Sequence, residues 1–403
     1  MARQRKNRSK KPPARKAQSG HAVVNSHSKG WLRKGFDWVY DNEILAIDPS
    51  LKPGQEVVIV GEDQQPLGIG VLDSEHIRIR RLSDQVCTLD KSFYIGALSA
   101  ALQRRTLPEN TTAWRWVHGE NDDLAGIRID VWGVEAALIL ESASMLGQVE
   151  AVVEAMVDLL PLEAVWLSVR QPKGDRESLG CIWGTPEPHG LVVLEHGLQY
   201  LVHPERSVDA GLFCDMREMR QYLKPHCLDA NVLNLFCYTG AFSVAALAHG
   251  ASSVTSVDLS KNNIQRLEDN LRLNGLGEDS HRSIAEDCFV VLDQLRRQGK
   301  QFDLVIADPP SYSNSSHGTW SVEQHLGRLV AAALRVTQPG GRIVVATNHG
   351  QMTPKDFIRS IVEGATRTQR RLRIIHQYSP PSDFPAAIHF PESRYLKCWC
   401  LQA

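Results

Sequence analysis

The sequence has no apolar stretch long enough to span a membrane and no secretory signal pattern. Its eight cysteines lack the paired spacing of a zinc site, and Cys398-Trp399-Cys400 is too tight for an ordinary zinc knuckle. These absences argue against a membrane protein, a disulfide-rich secreted protein and a zinc module. We therefore expect reduced thiols, no membrane partner, a cytoplasmic location and no metal site.

The sequence also lacks an excess of either charge, since it contains 45 Lys and Arg residues and 46 Asp and Glu residues. This balance hides an asymmetry. Residues 1–20 hold eight basic residues and no acid, which leaves 37 basic against 46 acidic residues in the rest. A basic segment with Pro, Ser and Gln cannot build a core, so we expect a disordered tail. It is either a solvated leader or an arm that contacts RNA phosphates, and the acidic body favours the arm.

At 403 residues, more than one domain is expected. Residues 21–90 contain short β patterns separated by turns. Residues 91–200 mix helical and strand patterns, and residues 201–403 alternate helices with apolar strands. We therefore predict three domains, 21–90, 91–200 and 201–403, which follow the tail 1–20.

Two local patterns in the first half concern charged residues. Alternation of apolar and basic residues near position 79 predicts that Arg78 and Arg80 lie on the exposed face of a strand. Further along, Glu120, Asp122 and Asp123 crowd into a glycine-bounded turn. We expect these carboxylates to be solvated rather than bound to a metal.

A β-turn-α-β unit lies at residues 232–258. An apolar run is followed by a turn of small residues, a helical segment and a second apolar run that ends in Asp258. In a nucleotide-binding sheet such an acid accepts the ribose hydroxyls, and the helix N-terminus faces the ligand. From this unit we predict cofactor contacts by Asn234, Phe236, Tyr238, Thr239, Gly240 and Asp258.

Other acids follow or precede neighbouring strands. Asp287 follows the next strand and is a candidate for binding adenine. Asp308-Pro309-Pro310 follows another strand, and the prolines hold the chain extended. This segment is either a simple turn or the place where Asp308 and the backbone carbonyls meet a planar base. A polar loop is predicted over 313–317.

Asp215 and Arg217 lie just before the first strand of the unit, where a helix is predicted. They form either a surface ion pair on a capped helix or contacts to a polar ligand. Their place beside the nucleotide-binding strand favours ligand contact.

The order of these motifs, closed by Pro339-Gly340-Gly341 and a strand, resembles a class I S-adenosylmethionine-dependent methyltransferase domain. The resemblance implies an α/β, Rossmann-like doubly wound sheet over residues 201–403. Residues 21–90 resemble a PUA-like RNA-binding barrel, with a generic barrel as the alternative, and residues 91–200 are similar to a small α/β middle domain. The whole chain looks like the bacterial 23S rRNA methyltransferases. The implied cofactor is S-adenosylmethionine, and the implied partner is 23S rRNA or the precursor large subunit, bound by a monomer or a homodimer.

The architecture resembles the rRNA cytosine-C5 methyltransferases, which need a thiolate nucleophile. The two positions where a cysteine would be expected are Ser311 and Asn348. The motifs around them also resemble the guanine-N7 methyltransferase domain, whose acceptor nitrogen has a lone pair and needs no covalent activation. The resemblance implies direct transfer, with these catalytic residues: Asp308, Pro309, Pro310, Tyr312 as a stacking face, and Asn348 as a hydrogen-bond partner of the base.

The sequence is also compatible with other functions. An exocyclic amine is a further acceptor, a cytosine-C5 enzyme is the main alternative, and a non-catalytic RNA-binding assembly factor is another. A nicotinamide-dependent oxidoreductase fits the first β-turn-α-β unit. It is disfavoured because the Gly-x-Gly-x-x-Gly turn is missing and Asp-Pro-Pro would have no use.

Overall fold

The computed structural model describes residues 20–171, 176–277, 279–315 and 318–403. The predicted basic tail lies outside the described residues except for Gly20. Within the described ranges, no helix is long and apolar enough to cross a bilayer.

The N-terminal region forms a six-stranded sheet with its own apolar core. Its strands, in spatial order, are Trp38–Tyr40, Ile77–Ser83, Pro66–Leu72, Glu56–Val60, His21–Val24 and Ile44–Ile47. The helix Ser26–Leu32 begins after Asn25, whose side-chain oxygen accepts a hydrogen bond from the Ser28 amide at 2.8 Å.

The prediction that Arg80 is exposed is wrong. Arg80 is buried, and its Nε donates to Asp73 at 2.9 Å. A Cβ on Gly126 of the middle region would meet the Arg80 side chain at 2.8 Å, so the second face of this strand is covered by another part of the chain. Arg78 is half-buried. Period-two alternation therefore located the strand but not what covers its polar face.

The middle region forms a five-stranded sheet with two helices packed against it, Lys91–Gln103 and Val149–Leu159. Its strands, in spatial order, are Arg176–Gly184, Ala164–Arg170, Glu135–Leu140, Ile127–Trp132 and Ala113–His118. A separate antiparallel pair, Leu191–Glu195 with Leu198–Val202, leads into the last region.

In the acidic turn, only Asp123 is exposed as predicted, whereas Asp122 and Glu120 are covered. Asp122 is fully buried and forms ion pairs with Arg104 and Arg105. Glu120 accepts a hydrogen bond from the indole nitrogen of Trp38 at 2.7 Å, across the boundary with the N-terminal sheet. Within the described ranges, no group of three or more His, Cys, Asp or Glu residues is arranged to hold a metal.

The C-terminal region is a seven-stranded sheet with helices on both faces. Its strands, in spatial order, are His281–Ala285, Ser253–Asp258, Asn231–Leu235, Phe302–Ala307, Thr337–Thr347, Lys397–Gln402 and Arg373–Gln377. The first five are parallel and Lys397–Gln402 is antiparallel to both neighbours. Its main helices are Ala241–Ala248, Lys261–Leu273, Cys288–Arg297, Val322–Leu334 and Pro354–Arg367. The strand order reverses beside Asn231–Leu235, which opens a crevice at the carboxyl ends of the strands.

A bridging segment, residues 379–395, ties the three regions together. It leaves the edge of the C-terminal sheet and returns as the strand Lys397–Gln402. Within it, Asp383 accepts from the backbone amide of Arg115 in the middle region at 3.0 Å. Phe390 packs edge-on against Trp38 of the N-terminal sheet, with 4.8 Å between ring centroids.

Candidate active site

A cavity of about 750 Å³ lies at the carboxyl ends of the C-terminal strands. Three carboxylates that follow parallel strands of this sheet line it. Asp258 ends one strand, Asp287 follows the strand His281–Ala285, and Asp308 follows Phe302–Ala307. Parallel strands bring their carboxyl ends to one edge, which is why residues far apart in sequence meet here.

Asp258 holds the turn after the central strand. Its carboxylate accepts hydrogen bonds from the backbone amides of Tyr238 at 3.0 Å and Ser260 at 2.9 Å. It also accepts one from the side-chain amide nitrogen of Asn263 at 3.1 Å. Phe236 and Tyr238 have positive φ, an uncommon conformation for aromatic residues that often occurs at functional sites. Both line the cavity.

Gly240 does not form part of the cavity wall, so its predicted role in direct contact is not supported. Its φ is +80°, and a Cβ here would meet the Leu267 side chain at 2.4 Å. The glycine is therefore needed for the left-handed turn and for close packing of the helix that it caps.

Asp287 caps the helix Cys288–Arg297, because its Oδ1 accepts from the amides of Phe289 at 2.8 Å and Val290 at 3.3 Å. Phe289 forms an apolar wall of the cavity next to Trp320, with 5.9 Å between centroids. This end combines a carboxylate with flat apolar surfaces and suits a purine.

Asp308 lies half-buried in the wall at the other end. Burial raises its pKa to about 7, the Asp215 carboxylate adds to the shift, and Arg220 opposes it. Asp215 accepts a hydrogen bond from the Tyr395 hydroxyl at 2.7 Å, and burial raises its pKa as well. This end of the cavity therefore contains a carboxyl group that changes charge near neutral pH.

The polar loop predicted over 313–317 is wrong for its described residues, which form a β-hairpin of Tyr312–Ser315 and Gly318–Ser321. Trp320 on this hairpin donates its indole N–H to the Pro310 carbonyl at 2.7 Å, so that carbonyl already has a partner. Tyr312 is 61% exposed and lies outside the cavity wall, so its role as a stacking face stays a prediction.

The predicted positions Ser311 and Asn348 meet beside Asp308. The Ser311 hydroxyl donates to Oδ1 of Asn348 at 2.9 Å. Asn348 follows the strand Thr337–Thr347 and lines the cavity.

Most predicted site residues lie together in the wall of this cavity. They are Asp215, Asn234, Phe236, Tyr238, Thr239, Asp258, Asp287, Asp308, Pro309, Pro310 and Asn348. The predicted contact of Arg217 with the cofactor is not supported. Arg217 is fully buried in an ion pair with Asp383 and does not line the cavity. Sequence reasoning missed the wall residues Phe213, Met216, Arg220, Phe289, Trp320 and Arg328. Among these, only Phe213 and Met216 could have been predicted from the sequence, because they lie next to the predicted cofactor contact Asp215.

Comparison with known proteins identifies the family of the chain. A family model for S-adenosylmethionine-dependent methyltransferases matches residues 168–392, more than half of the chain. The chain belongs to this family. A second model, for a PUA-like domain, matches residues 22–84. The predicted fold class, enzyme class and cofactor are thereby confirmed, whereas the predicted domain boundaries stay predictions.

Relatives and solved structures cover nearly the whole methyltransferase. The ribosomal RNA large subunit methyltransferase I of Erwinia tasmaniensis is 29% identical over 384 residues, which are 93% of this chain and 97% of that protein. The protein of that name from Alteromonas mediterranea is 29% identical over 94% of this chain and 98% of its own. The structure of SMU.776, described as a methyltransferase and complexed with S-adenosylhomocysteine, has a TM-score of 0.85 at 25% identity, over 95% of this chain and 100% of that one.

The residues of the cavity fit S-adenosylmethionine, which supplies an activated methyl group when bound. Asp258 lies where a carboxylate would accept the ribose hydroxyls. Asp287 and Phe289 would hold the adenine. Asp308 and Asn348 lie at the far end of the wall and would orient the acceptor base.

Proposed function

We propose that this methyltransferase modifies large-subunit ribosomal RNA at a base nitrogen, with guanine N7 as the first choice. Transfer is direct, without a covalent bond between enzyme and RNA. The ribosomal substrate is supported by the names of relatives that align over nearly the whole chain, and by the PUA-like domain.

The observation that carries the choice of a nitrogen is the hydrogen bond between Ser311 and Asn348. Methylation of cytosine C5 requires a thiolate that adds to the ring. Here the two side chains at the positions expected for that thiolate are a hydroxyl and an amide, bonded to each other at the cavity. Neither can act as the nucleophile.

The cysteines near the cavity do not replace the missing thiolate. Cys237 and Cys288 line the wall but are only 6% and 4% exposed. Burial raises the pKa of both thiols, which disfavours the nucleophilic thiolate. Cys398 is fully buried, and burial raises its pKa well above the ordinary value.

The orientation of Asn348 favours guanine. Its Oδ1 accepts from Ser311, which leaves the amide nitrogen as a donor toward the base. Beside N7, guanine presents the acceptor O6, whereas adenine presents an amino group. An amide donor at this position therefore complements guanine.

Asp308 supports direct transfer by its charge. Methylation of N7 develops positive charge on the imidazole ring of the base. A carboxylate in a cavity of low polarity stabilises such charge more strongly than water would. With Asn348 holding the edge of the base, these side chains orient the acceptor and need not activate it covalently.

Nucleoside mapping tests the proposal. Large-subunit rRNA from cells with and without the gene is digested, and its modified nucleosides are identified by mass spectrometry. We expect the deletion to lack one 7-methylguanosine, wild-type protein to restore it, and Asn348→Ala to restore less of it than the wild type. A missing 5-methylcytidine would contradict the nitrogen acceptor, and no change in any nucleoside would favour an assembly factor without turnover.

A second readout tests the mechanism itself. Purified enzyme is incubated with rRNA fragments and run on a denaturing gel. Direct transfer predicts no enzyme–RNA adduct at any time during turnover, whereas an accumulating adduct would require a thiolate and would overturn the proposed chemistry.

A further inference from the structure

A series of aromatic rings runs across the N-terminal sheet toward the active site. This aromatic track consists of His27, Trp31, Phe36, Trp38, Tyr40, His76 and Phe390. Neighbouring ring centroids are 4.8–6.4 Å apart. Trp31 is 42% exposed and His76 is exposed, so both reach the surface. All eight contacts are edge-to-face or tilted, so no two of these rings are stacked face to face.

The aromatic track leads into a second cavity of about 430 Å³ between the three regions. Trp38 and Phe390 form part of its wall. This second cavity shares Phe213, Asp215 and Asn348 with the cofactor cavity. The two cavities are therefore contiguous, and Trp38 and Phe390 connect them to the aromatic track; the track and the two cavities together are called the path below.

The path also contains a cation at the surface and hydrogen-bond donors without a partner in the wall of the second cavity. The Lys34 ammonium lies 4.9 Å from the centroid of Trp31. Within the described part of the chain, the Trp132 indole nitrogen and Nε and Nη2 of Arg128 have no hydrogen-bond partner, and both residues line the second cavity. Glu120 in the same wall is already bonded to Trp38. Unpaired donors in a buried wall complement phosphate oxygens and base acceptors.

We propose that the aromatic track and the second cavity bind single-stranded RNA that flanks the target nucleotide. This inference rests on the proposed function, and adds that the substrate is unpaired beside its target. Aromatic side chains stack on unpaired bases with little sequence preference, whereas a duplex hides the faces of its bases. The path thus delivers a strand to the cofactor cavity with its bases already separated.

The test uses full-length protein, S-adenosylhomocysteine and a short labelled single-stranded oligoribonucleotide, with binding followed by fluorescence anisotropy. We expect Trp31→Ala and His76→Ala each to weaken binding by about five- to tenfold, the lower part of the range for one base stacked on an aromatic ring. The control is Trp183→Ala, which removes a ring of similar exposure (38%) from the edge strand of the middle sheet. It should bind RNA like the wild type.

The nature of the contact is tested by salt. Lys34→Ala should reduce the dependence of the dissociation constant on salt, since it removes a cation near phosphate. Trp31→Ala should leave that dependence unchanged, because stacking releases no counterions. Unchanged affinity for S-adenosylhomocysteine in every variant shows that the fold and the cofactor cavity remain intact.

The outcomes separate the two proposals. If the wild type binds RNA but both track variants behave like Trp183→Ala, the aromatic track is overturned and the proposed function is unaffected. Equal affinity of the wild type for duplex and single strand would also overturn it. If the wild type binds S-adenosylhomocysteine but no RNA at all, the aromatic track is overturned, and nucleoside mapping decides the proposed function independently.

Discussion

Arg217 and Asp383 form a fully buried ion pair across 166 residues of sequence. Asp383 belongs to the bridging segment, and Arg217 begins the helix that precedes the central strand. The pair joins this helix to the bridging segment, which lines the second cavity. The Arg217 side chain is therefore engaged within the protein and has a structural role.

Breaking this pair should destabilise the protein. We expect Asp383→Ala to lower the free energy of unfolding by about 3 kcal/mol or more, because it leaves a buried guanidinium uncompensated. Asp269→Ala removes the half-buried partner of the exposed Arg272 side chain and should cost less than about 1 kcal/mol. Urea denaturation at neutral pH compares the two variants, and equal losses would contradict the structural role of the pair.

The cofactor end of the cavity is tested at Asp258. We expect Asp258→Ala to weaken binding of S-adenosylhomocysteine by about tenfold to a hundredfold, as for loss of charge-assisted hydrogen bonds. Isothermal titration calorimetry measures this directly. Asp293→Ala, on the exposed face of the helix Cys288–Arg297, is the control and should bind normally. Normal binding by the Asp258 variant would place the ribose elsewhere.

The acceptor end is tested at Asn348. Asn348→Ala should lower kcat by about tenfold to a hundredfold, since it removes a group that orients the base in the transition state. Its affinity for S-adenosylhomocysteine should not change. Gln351→Ala changes an exposed amide three residues away and should retain full activity. A normal kcat for the Asn348 variant would remove this residue from the reaction.

The charge of Asp308 predicts a pH dependence of the rate. Because its pKa is raised to about 7 and the ionised form stabilises the developing positive charge, kcat/KM should rise between pH 6 and pH 8. Asp215 interacts with Asp308, so the observed midpoint belongs to the pair. Asp308→Asn should be slow and should lose this rise, whereas Asp293→Asn should keep it. A flat wild-type profile would count against a role for the Asp308 charge.

Stability gives an independent check on the same carboxyl group. A carboxyl whose pKa is higher in the folded state binds more protons folded than unfolded between the two pKa values. Its contribution to stability therefore falls as pH rises from about 4 to about 7. Asp308→Asn should gain stability relative to the wild type over this range, as measured by thermal melting at several pH values.

The sequence patterns located the catalytic sheet because each parallel strand is a short apolar run that ends in a polar residue. Asp258 and Asp308 were found for that reason, and the order of the motifs indicated the family. Predictions failed where a distant segment covers a polar residue. Arg80 has the alternation of an exposed strand position, and Asp122 lies in a turn that looks exposed, yet both form buried ion pairs.

By itself, the sequence determined that the chain contains an α/β cofactor-binding sheet and that the two expected cysteine positions are Ser311 and Asn348. Local periodicity and single residues carry that information. Only the tertiary structure showed that Ser311 and Asn348 bond to each other, that Arg217 faces Asp383 instead of the ligand, and that Phe390 reaches the aromatic track of the N-terminal sheet. Such contacts join segments far apart in sequence, and depend on how three sheets pack around one bridging segment.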